Sequence, residues 1–248
     1  MGRSAARLAP AMTVAAAETG VISIIVPALN EAGGIVEALQ ALQEMRGRGH
    51  EVIVVDGGSS DHTAALSRPL ADRVLMAAAG RARQMQAGTA PARGSVLWFL
   101  HADTRAPREA DRAICAALQG GDHHWGRFDV CIPEAGWLLS VVATLMNLRS
   151  RLTGIATGDQ GIFVSRELFD CVGGFPQIPL MEDIALSRRL KSHCRPACLN
   201  ERLITSARRW RRHGTLRTIL LMWSLRLAYW LGVSPVWLAQ RYPSHHRQ

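Results

Sequence analysis

Three apolar runs that each stop on a cluster of polar residues constrain the fold of this chain more than any other feature. VISIIVPALN (21–30), HEVIVVDGGSSDHT (50–63) and SVLWFLHADT (95–104) carry unbroken β-branched and aromatic stretches rather than alternating ones. That is the pattern of central strands covered on both faces. Between them, EAGGIVEALQALQEM (31–45) spaces Ile35, Leu39 and Leu42 as a helix does, and DRVLMA (72–77) reads as a shorter strand. GRARQMQAGTAPARG (80–94) reads as a helix entered through Gly80. Strands alternating with helices predict βαβ units and a largely parallel, doubly wound α/β sheet over the first hundred residues.

Beyond residue 105 the rhythm changes. A helix is expected over 108–118, a strand in HWGRFDVCI (124–132) and a strongly apolar helix in GWLLSVVATLMNLRSRL (136–152). TGDQGIFVSRELFDCVGGF (157–175) reads as loop, strand and short helix. Its Gly173-Gly174-Phe175 reads as a helix cap and turn into PLMEDIALSRRLKS (179–192), an amphipathic helix. No repeat and no linker divides the chain, so the α/β half and the irregular half are expected to share one core. Residues 1–19 read as a disordered leader, 20–212 as the main domain and 213–248 as an apolar, arginine-rich helical tail.

In that tail, TLRTILLMWSLRLAYWLGVSPVWLAQRY (215–242) repeats Trp223, Trp230 and Trp237 at seven-residue intervals. Arg226 and the Ser234-Pro235 break count against a simple membrane span. Three readings stay open: peripheral membrane contact through 215–242, packing on the chain's own core, and a homodimer contact.

Lys and Arg number 29 against 20 Asp and Glu, a net charge of +9. The surplus suits an anionic surface or a phosphorylated small molecule, and without a basic tract interleaved with aromatics no nucleic-acid partner is expected. The five scattered cysteines fit reduced thiols in a cytoplasmic protein. His193, Cys194 and Cys198 lack a fourth zinc ligand nearby.

Ligands of open α/β sheets bind beyond the carboxyl ends of the strands. There the sequence places Asn30-Glu31, Asp56 to Asp61, and His101-Ala102-Asp103. Neither a G-x-G-x-x-G turn nor a Walker loop is present. Carboxylates in their place can hold a hard divalent cation, Mg²⁺ or Mn²⁺, which in turn holds a diphosphate, while others accept from base N–H and ribose hydroxyls. Arg81 and Arg83 complement phosphate charge. Asp61 is equally suited to capping the next helix.

Together SIIVPALNE, VIVVDGGSSDHT, GRARQMQAG, FLHADT and PLMEDIALSRRL resemble the inverting family-2 glycosyltransferases of GT-A fold, in order from about residue 21 to 212. GRARQMQAG and TGDQGIFVSRELF are most similar to the small bacterial branch associated with arsenosugar biosynthesis. The resemblance implies an open, mostly parallel nucleotide-binding sheet merged with an irregular acceptor-side half. It implies a UDP- or GDP-type nucleotide-sugar donor and transfer to an acceptor hydroxyl on a small molecule or a lipid carrier. Asp56 would recognise the base, with Pro27 and Glu31 shaping the nucleoside pocket. Asp103 matches the last position of the D-x-D metal motif, with His101 in place of the first aspartate. Asp183 matches the general base, and Glu182, Arg209 and Trp210 fall on the acceptor side. Arg209-Trp210 ends a Q-x-x-R-W signature whose glutamine is replaced by Ser206. Asp159 and Gln160 either line that side or make a turn. The location implied is cytoplasmic, peripheral on the inner membrane face if the tail binds lipid. Two competing readings are a sugar nucleotidyltransferase, whose GGxGTRL-type loop is missing, and a nucleotide-sugar-binding scaffold without activity.

Overall fold

The computed structural model describes residues 20–133, 136–208 and 214–242. Residues 1–19, read from the sequence as a leader, and the pair Arg209-Trp210 lie outside the described residues. The chain begins with β1 (Ile22–Ala28), α1 (Ile35–Gln40), α2 (Gln43–Gly47), β2 (Glu51–Asp56), α3 (Thr63–Ser67) and β3 (Arg73–Met76). Next come α4 (Arg81–Thr89), β4 (Val96–Phe99), β5 (Thr104–Arg105), α5 (Ala110–Gln119), β6 (Trp125–Cys131) and α6 (Gly136–Thr153). β7 (Phe163–Ser165), α7 (Arg166–Cys171), α8 (Glu182–Lys191) and β8 (Ala197–Thr205) complete the sheet region, followed by α9 (Thr215–Trp230) and α10 (Pro235–Arg241).

The eight strands form one sheet in the order β3-β2-β1-β4-β7-β6-β8-β5. Strands β3, β2, β1 and β4 are parallel neighbours, as the βαβ pattern predicts. The other half is mixed: β7 runs antiparallel to β4 and β6, β8 is parallel to β6, and β5 is antiparallel to β8. Every residue of β1 and β2 is buried. Ile22, Ile24, Val52, Val54 and Trp98 join one core cluster, whereas Ile25, Ile53, Val55, Leu97 and Phe99 join another. Side chains alternate between faces along a strand, so two cores require the unbroken apolar runs seen in the sequence. Each fully buried Val, Ile, Leu or Phe contributes about 1.5–3 kcal/mol.

One expectation changes, and one strand is added. The helix read across 31–45 divides into α1 and α2, because the turn tightens at Leu42, whose N–H reaches Leu39 O at 3.1 Å. There the Gln43 amide bonds Leu39 O at 2.8 Å and Leu70 O at 2.9 Å. Strand β8 has no apolar run to announce it; its central residues are exposed. Pairing with β6 and β5 makes it a strand.

The tail settles on the domain by one side. Leu225 of α9 and Leu238 of α10 pack with Met181 and Ile184 in a fourth cluster. Trp223, Trp230 and Trp237 stay exposed at 61%, 70% and 43%. Among the described residues no helix is long and apolar enough to cross a membrane.

Candidate active site

Strand β4 ends at Phe99, and the turn His101-Ala102-Asp103 carries the chain out of the parallel half into β5. The turn closes through Thr104 N–H to His101 O at 3.1 Å. Because β5 then pairs with β8 at Thr104 with Thr205, the residues just after β8 arrive beside the turn. Arg208 is one of them. Its guanidinium pairs with Glu31 from the loop after β1 and lies 3.8 Å from the Asp103 carboxylate. Glu31 feels burial first, which raises its pKa, and Arg208 offsets only part of that rise. Arg208 adjoins the expected Arg209-Trp210 and was not singled out in the sequence. Its only signal there is its place in the run Arg208-Arg209.

The loops after β1 and β2 are laced to each other. Asn30 N–H donates to Ser59 Oγ at 2.9 Å, and Ser60 N–H donates to Asn30 Oδ1 at 2.9 Å. Asp61 accepts from Thr63 N–H at 3.0 Å and from Ala32 N–H at 3.1 Å, so it knits both loops and starts α3. Asp56 is wholly buried, and both carboxylate oxygens accept from Ser59. Pro27 is buried inside β1 beside Val55, shaping the strand rather than lining open space. Of the two, Asp56 is the one at the strand end, and each of its oxygens keeps a second lone pair beyond the bond from Ser59.

The second half of the site forms around the 3₁₀ turn Gly158–Gln160. Asp159 Oδ1 lies 3.1 Å from His101 Nδ1. Gly158 N–H donates to Asp183 Oδ2 at 2.8 Å, while Asp183 Oδ1 accepts from Ile184 N–H at 2.7 Å. A Cβ on Gly158 would lie 2.5 Å from His101 Nε2. Glycine at 158 therefore lets the histidine and the aspartate share one backbone segment. Gln160 is wholly buried and closes the turn by accepting from Thr157 N–H at 3.1 Å, so it positions Asp159 from behind.

Glu182 and Asp183 open α8 after Met181, which holds φ +68°. Among the described residues only Asn30 and Met181 adopt positive φ without being glycine, and both flank this site. Such conformations persist where surrounding structure enforces them. Glu182 is the buried member of the pair. Burial first, then the neighbouring Asp183 charge, push its carboxyl up to about 7, against pull from Arg81 and His101. Burial falls on Glu182, whose side chain turns inward. Arg81, at the start of α4, faces Glu182, Tyr242, Asp159 and Asp103; desolvation opposes its charge, but these neighbours outweigh it and raise its pKa. Arg83 is also exposed on that helix.

By contrast, two buried acids away from this edge, Glu51 at the start of β2 and Asp111 in the first turn of α5, are well paired. Glu51 accepts from Ser23 Oγ at 2.6 Å, and Asp111 takes Arg48 at 2.6 Å. Burial would raise both carboxyls, yet these partners hold them below the usual range.

Two hollows meet at the His101–Asp103 turn. An open groove of about 610 Å³ runs past Gly33, Glu37, Asp103, Arg105, Thr205 and Arg208. A narrower one of about 260 Å³ lies between Met85, Phe99, His101, Gly158, Phe175, Glu182 and Asp183. No group of three His, Cys, Asp or Glu among the described residues is arranged to hold a metal ion. Asp103 is half-exposed and offers one carboxylate. That matches a cation of the Mg²⁺ type, which keeps its waters and takes one or two carboxylates plus substrate phosphates. His101 fits less well as a ligand, since Nδ1 engages Asp159 and Nε2 abuts Gly158.

Residues 23–171 match the family model described as Glycosyl transferase family 2. An undecaprenyl-phosphate 4-deoxy-4-formamido-L-arabinose transferase of Pseudomonas aeruginosa (strain LESB58) is 29% identical over 153 residues, 56% of this chain and 44% of that protein. The chain thus spans less than half the length of that curated relative. Among solved structures, the mannosyltransferase PcManGT of Pyrobaculum calidifontis, in complex with GDP-Man and Mn²⁺, is 21% identical with a TM-score of 0.60, over 91% of this chain and 65% of that one. Glucosyl-3-phosphoglycerate synthase of Mycobacterium tuberculosis, in complex with Mn²⁺, UDP and phosphoglyceric acid, is 20% identical with a TM-score of 0.62, over 86% and 78%. Both share the GT-A fold with this chain.

Proposed function

Since the chain belongs to glycosyltransferase family 2, we propose that it moves a sugar from a UDP- or GDP-type nucleotide-sugar to an acceptor hydroxyl by a single, inverting displacement. The observation that carries this is the position of Asp183. Its carboxylate is fixed by the Gly158 and Ile184 N–H groups at 2.8 and 2.7 Å and borders the hollow that also holds His101 and Glu182. A carboxylate held there can take the acceptor proton as the hydroxyl attacks, and one attack from the far face inverts the anomeric centre. Glu182, Asp159 and Gln160 set the shape and charge behind it.

On the donor side, Asp56 and Glu31 form the nucleoside end, with Pro27 shaping the β1 strand behind them. Arg81 and Arg208 bring positive charge to where a leaving diphosphate gathers negative charge. A divalent cation, Mg²⁺ or Mn²⁺, would be held by Asp103 and would neutralise that diphosphate. The structures in complex with Mn²⁺ and a guanosine or uridine nucleotide support the donor class. His101 serves by orienting Asp159 rather than as the first metal ligand.

The acceptor is a small molecule or a lipid-linked one. A curated relative named for undecaprenyl phosphate and the exposed tryptophans of α9 and α10 favour an amphiphilic acceptor met at a membrane surface. The likeness to the arsenosugar-associated branch rests on GRARQMQAG and TGDQGIFVSRELF, which supply α4 and the Gly158–Gln160 turn that ring the site. A thermal-shift panel of nucleotide-sugars with and without Mn²⁺ tests the donor side. One base class should stabilise the protein in a metal-dependent way, and Asp103→Ala should abolish the metal dependence. No shift with any donor would overturn it.

A further inference from the structure

Most buried or half-buried arginines of the described chain have acceptors. Arg127 reaches Asp129 and Asn147 O, Arg48 reaches Asp111, and Arg166 reaches three backbone carbonyls. Among the described residues, Arg149 of α6 and Arg226 of α9, like Arg127 at Nε, keep buried nitrogens without an acceptor. Nε and Nη2 of Arg149 and Nε of Arg226 are buried, and among the described residues they have no hydrogen-bond partner. Burial first, then the like charges of Arg226 and Arg127, lower the Arg149 pKa to about 10, and only Asp183 pulls the other way. Two half-buried cations from different helices thus lie within electrostatic reach of each other, and Arg149 within reach of the proposed base. Buried donors and like charges left uncompensated are a net cost to a fold. An anion supplying several acceptor oxygens removes that cost, and the guanidinium fork suits phosphate.

We propose that Arg149 and Arg226 form an anion subsite on the acceptor side of the reaction centre, taking a phosphate group carried by the acceptor. This rests on Asp183 being the base, because the subsite would hold the acceptor with its hydroxyl toward that carboxylate. Exposed Leu145, Leu148 and Leu152 on α6 and Trp223 and Leu227 on α9 give each helix an apolar strip beside its arginine. An acceptor with an apolar chain would lie along them.

The test is calorimetric titration of the full chain, without donor, using inorganic phosphate, glycerol 3-phosphate, geranyl phosphate and uncharged geraniol. Wild-type protein should bind one or both phosphate esters at least about tenfold more tightly than Arg149→Gln, with geraniol unchanged. The difference between proteins isolates this subsite from phosphate binding at the donor pocket. Tighter geranyl phosphate identifies a lipid headgroup, and tighter glycerol 3-phosphate a soluble phosphate ester. Arg149→Gln should melt no lower than wild type in phosphate-free buffer, since the nitrogens removed have no partner. Should it fail to fold, Arg226→Gln repeats the test from the other helix. Affinities within twofold of wild type in a folded variant overturn the subsite. Sugar transfer that depends on Asp183 would survive that result, whereas intact anion binding without any transfer would overturn the glycosyltransferase reading alone.

Discussion

Replacing Glu182 by glutamine should stabilise the protein, by an amount that grows as pH rises from 4.5 to 7 and levels off above it. Burial and the Asp183 charge raise the Glu182 carboxyl from 4.5 to about 7. Between those values the folded chain keeps a proton that the unfolded chain has released. The contribution of the neutral acid is therefore fully present below pH 4.5 and is lost as pH rises through 7. At about 1.4 kcal/mol per tenfold change in acid strength, ionising Glu182 in place costs on the order of 3 kcal/mol. Glu182→Gln removes that cost because the amide never ionises. The variant should match wild type near pH 4.5 and exceed it by up to about 3 kcal/mol at pH 8.5. For a chain of this size that is roughly 6 °C or more in melting temperature. Urea melts of both proteins across pH 4.5 to 8.5 measure the difference directly. A gap that stays constant with pH, or that favours wild type at high pH, would show that Glu182 is ionised comfortably where it lies and refute the reasoning.

Gly158→Ala should lower kcat by about a hundredfold, the usual consequence of misplacing a catalytic group by an ångström. The new Cβ meets His101 Nε2 at 2.5 Å and must displace either that ring or the N–H held by Asp183. Circular dichroism should remain native, and an unchanged kcat would mean that this turn does not position the base. Leu238→Ala should cost 2–5 kcal/mol by leaving a cavity in the cluster with Met181 and Ile184. Chemical denaturation showing less than about 1 kcal/mol would mean that the tail is not part of the folded unit.

The parallel half was legible because its strands are buried on both faces, which forces unbroken runs such as SIIVPA, and because βαβ order leaves few topologies. The irregular half was harder. Strand β8 borrows its conformation from β6 and β5 and shows no period of its own. In the site, Asp56 and Asp103 were readable by residue type and position after strands, whereas Asp183, in the first turn of α8, was named only through the family resemblance. Their partners were not legible. Arg208 reaches Asp103 only through the β5–β8 pairing, and Gly158 reaches Asp183 only because the 157–161 turn folds over α8. Which member of Glu182-Asp183 turns inward depends on the backbone at Met181, which no local pattern announces. The tail offered three separate readings, and the structure combines two features: Leu225 and Leu238 pack inward, while the tryptophans face out.

Asp183 carries the central claim, and Asp183→Asn tests it with the smallest change of shape. Release of nucleoside diphosphate should be followed in wild type and variant with Mn²⁺ and the donor that the thermal-shift panel selects, alongside donor affinity by titration. The account predicts that transfer falls by at least about a thousandfold while donor affinity stays within a few-fold of wild type. Transfer at more than a tenth of the wild-type rate would contradict it and place the base elsewhere.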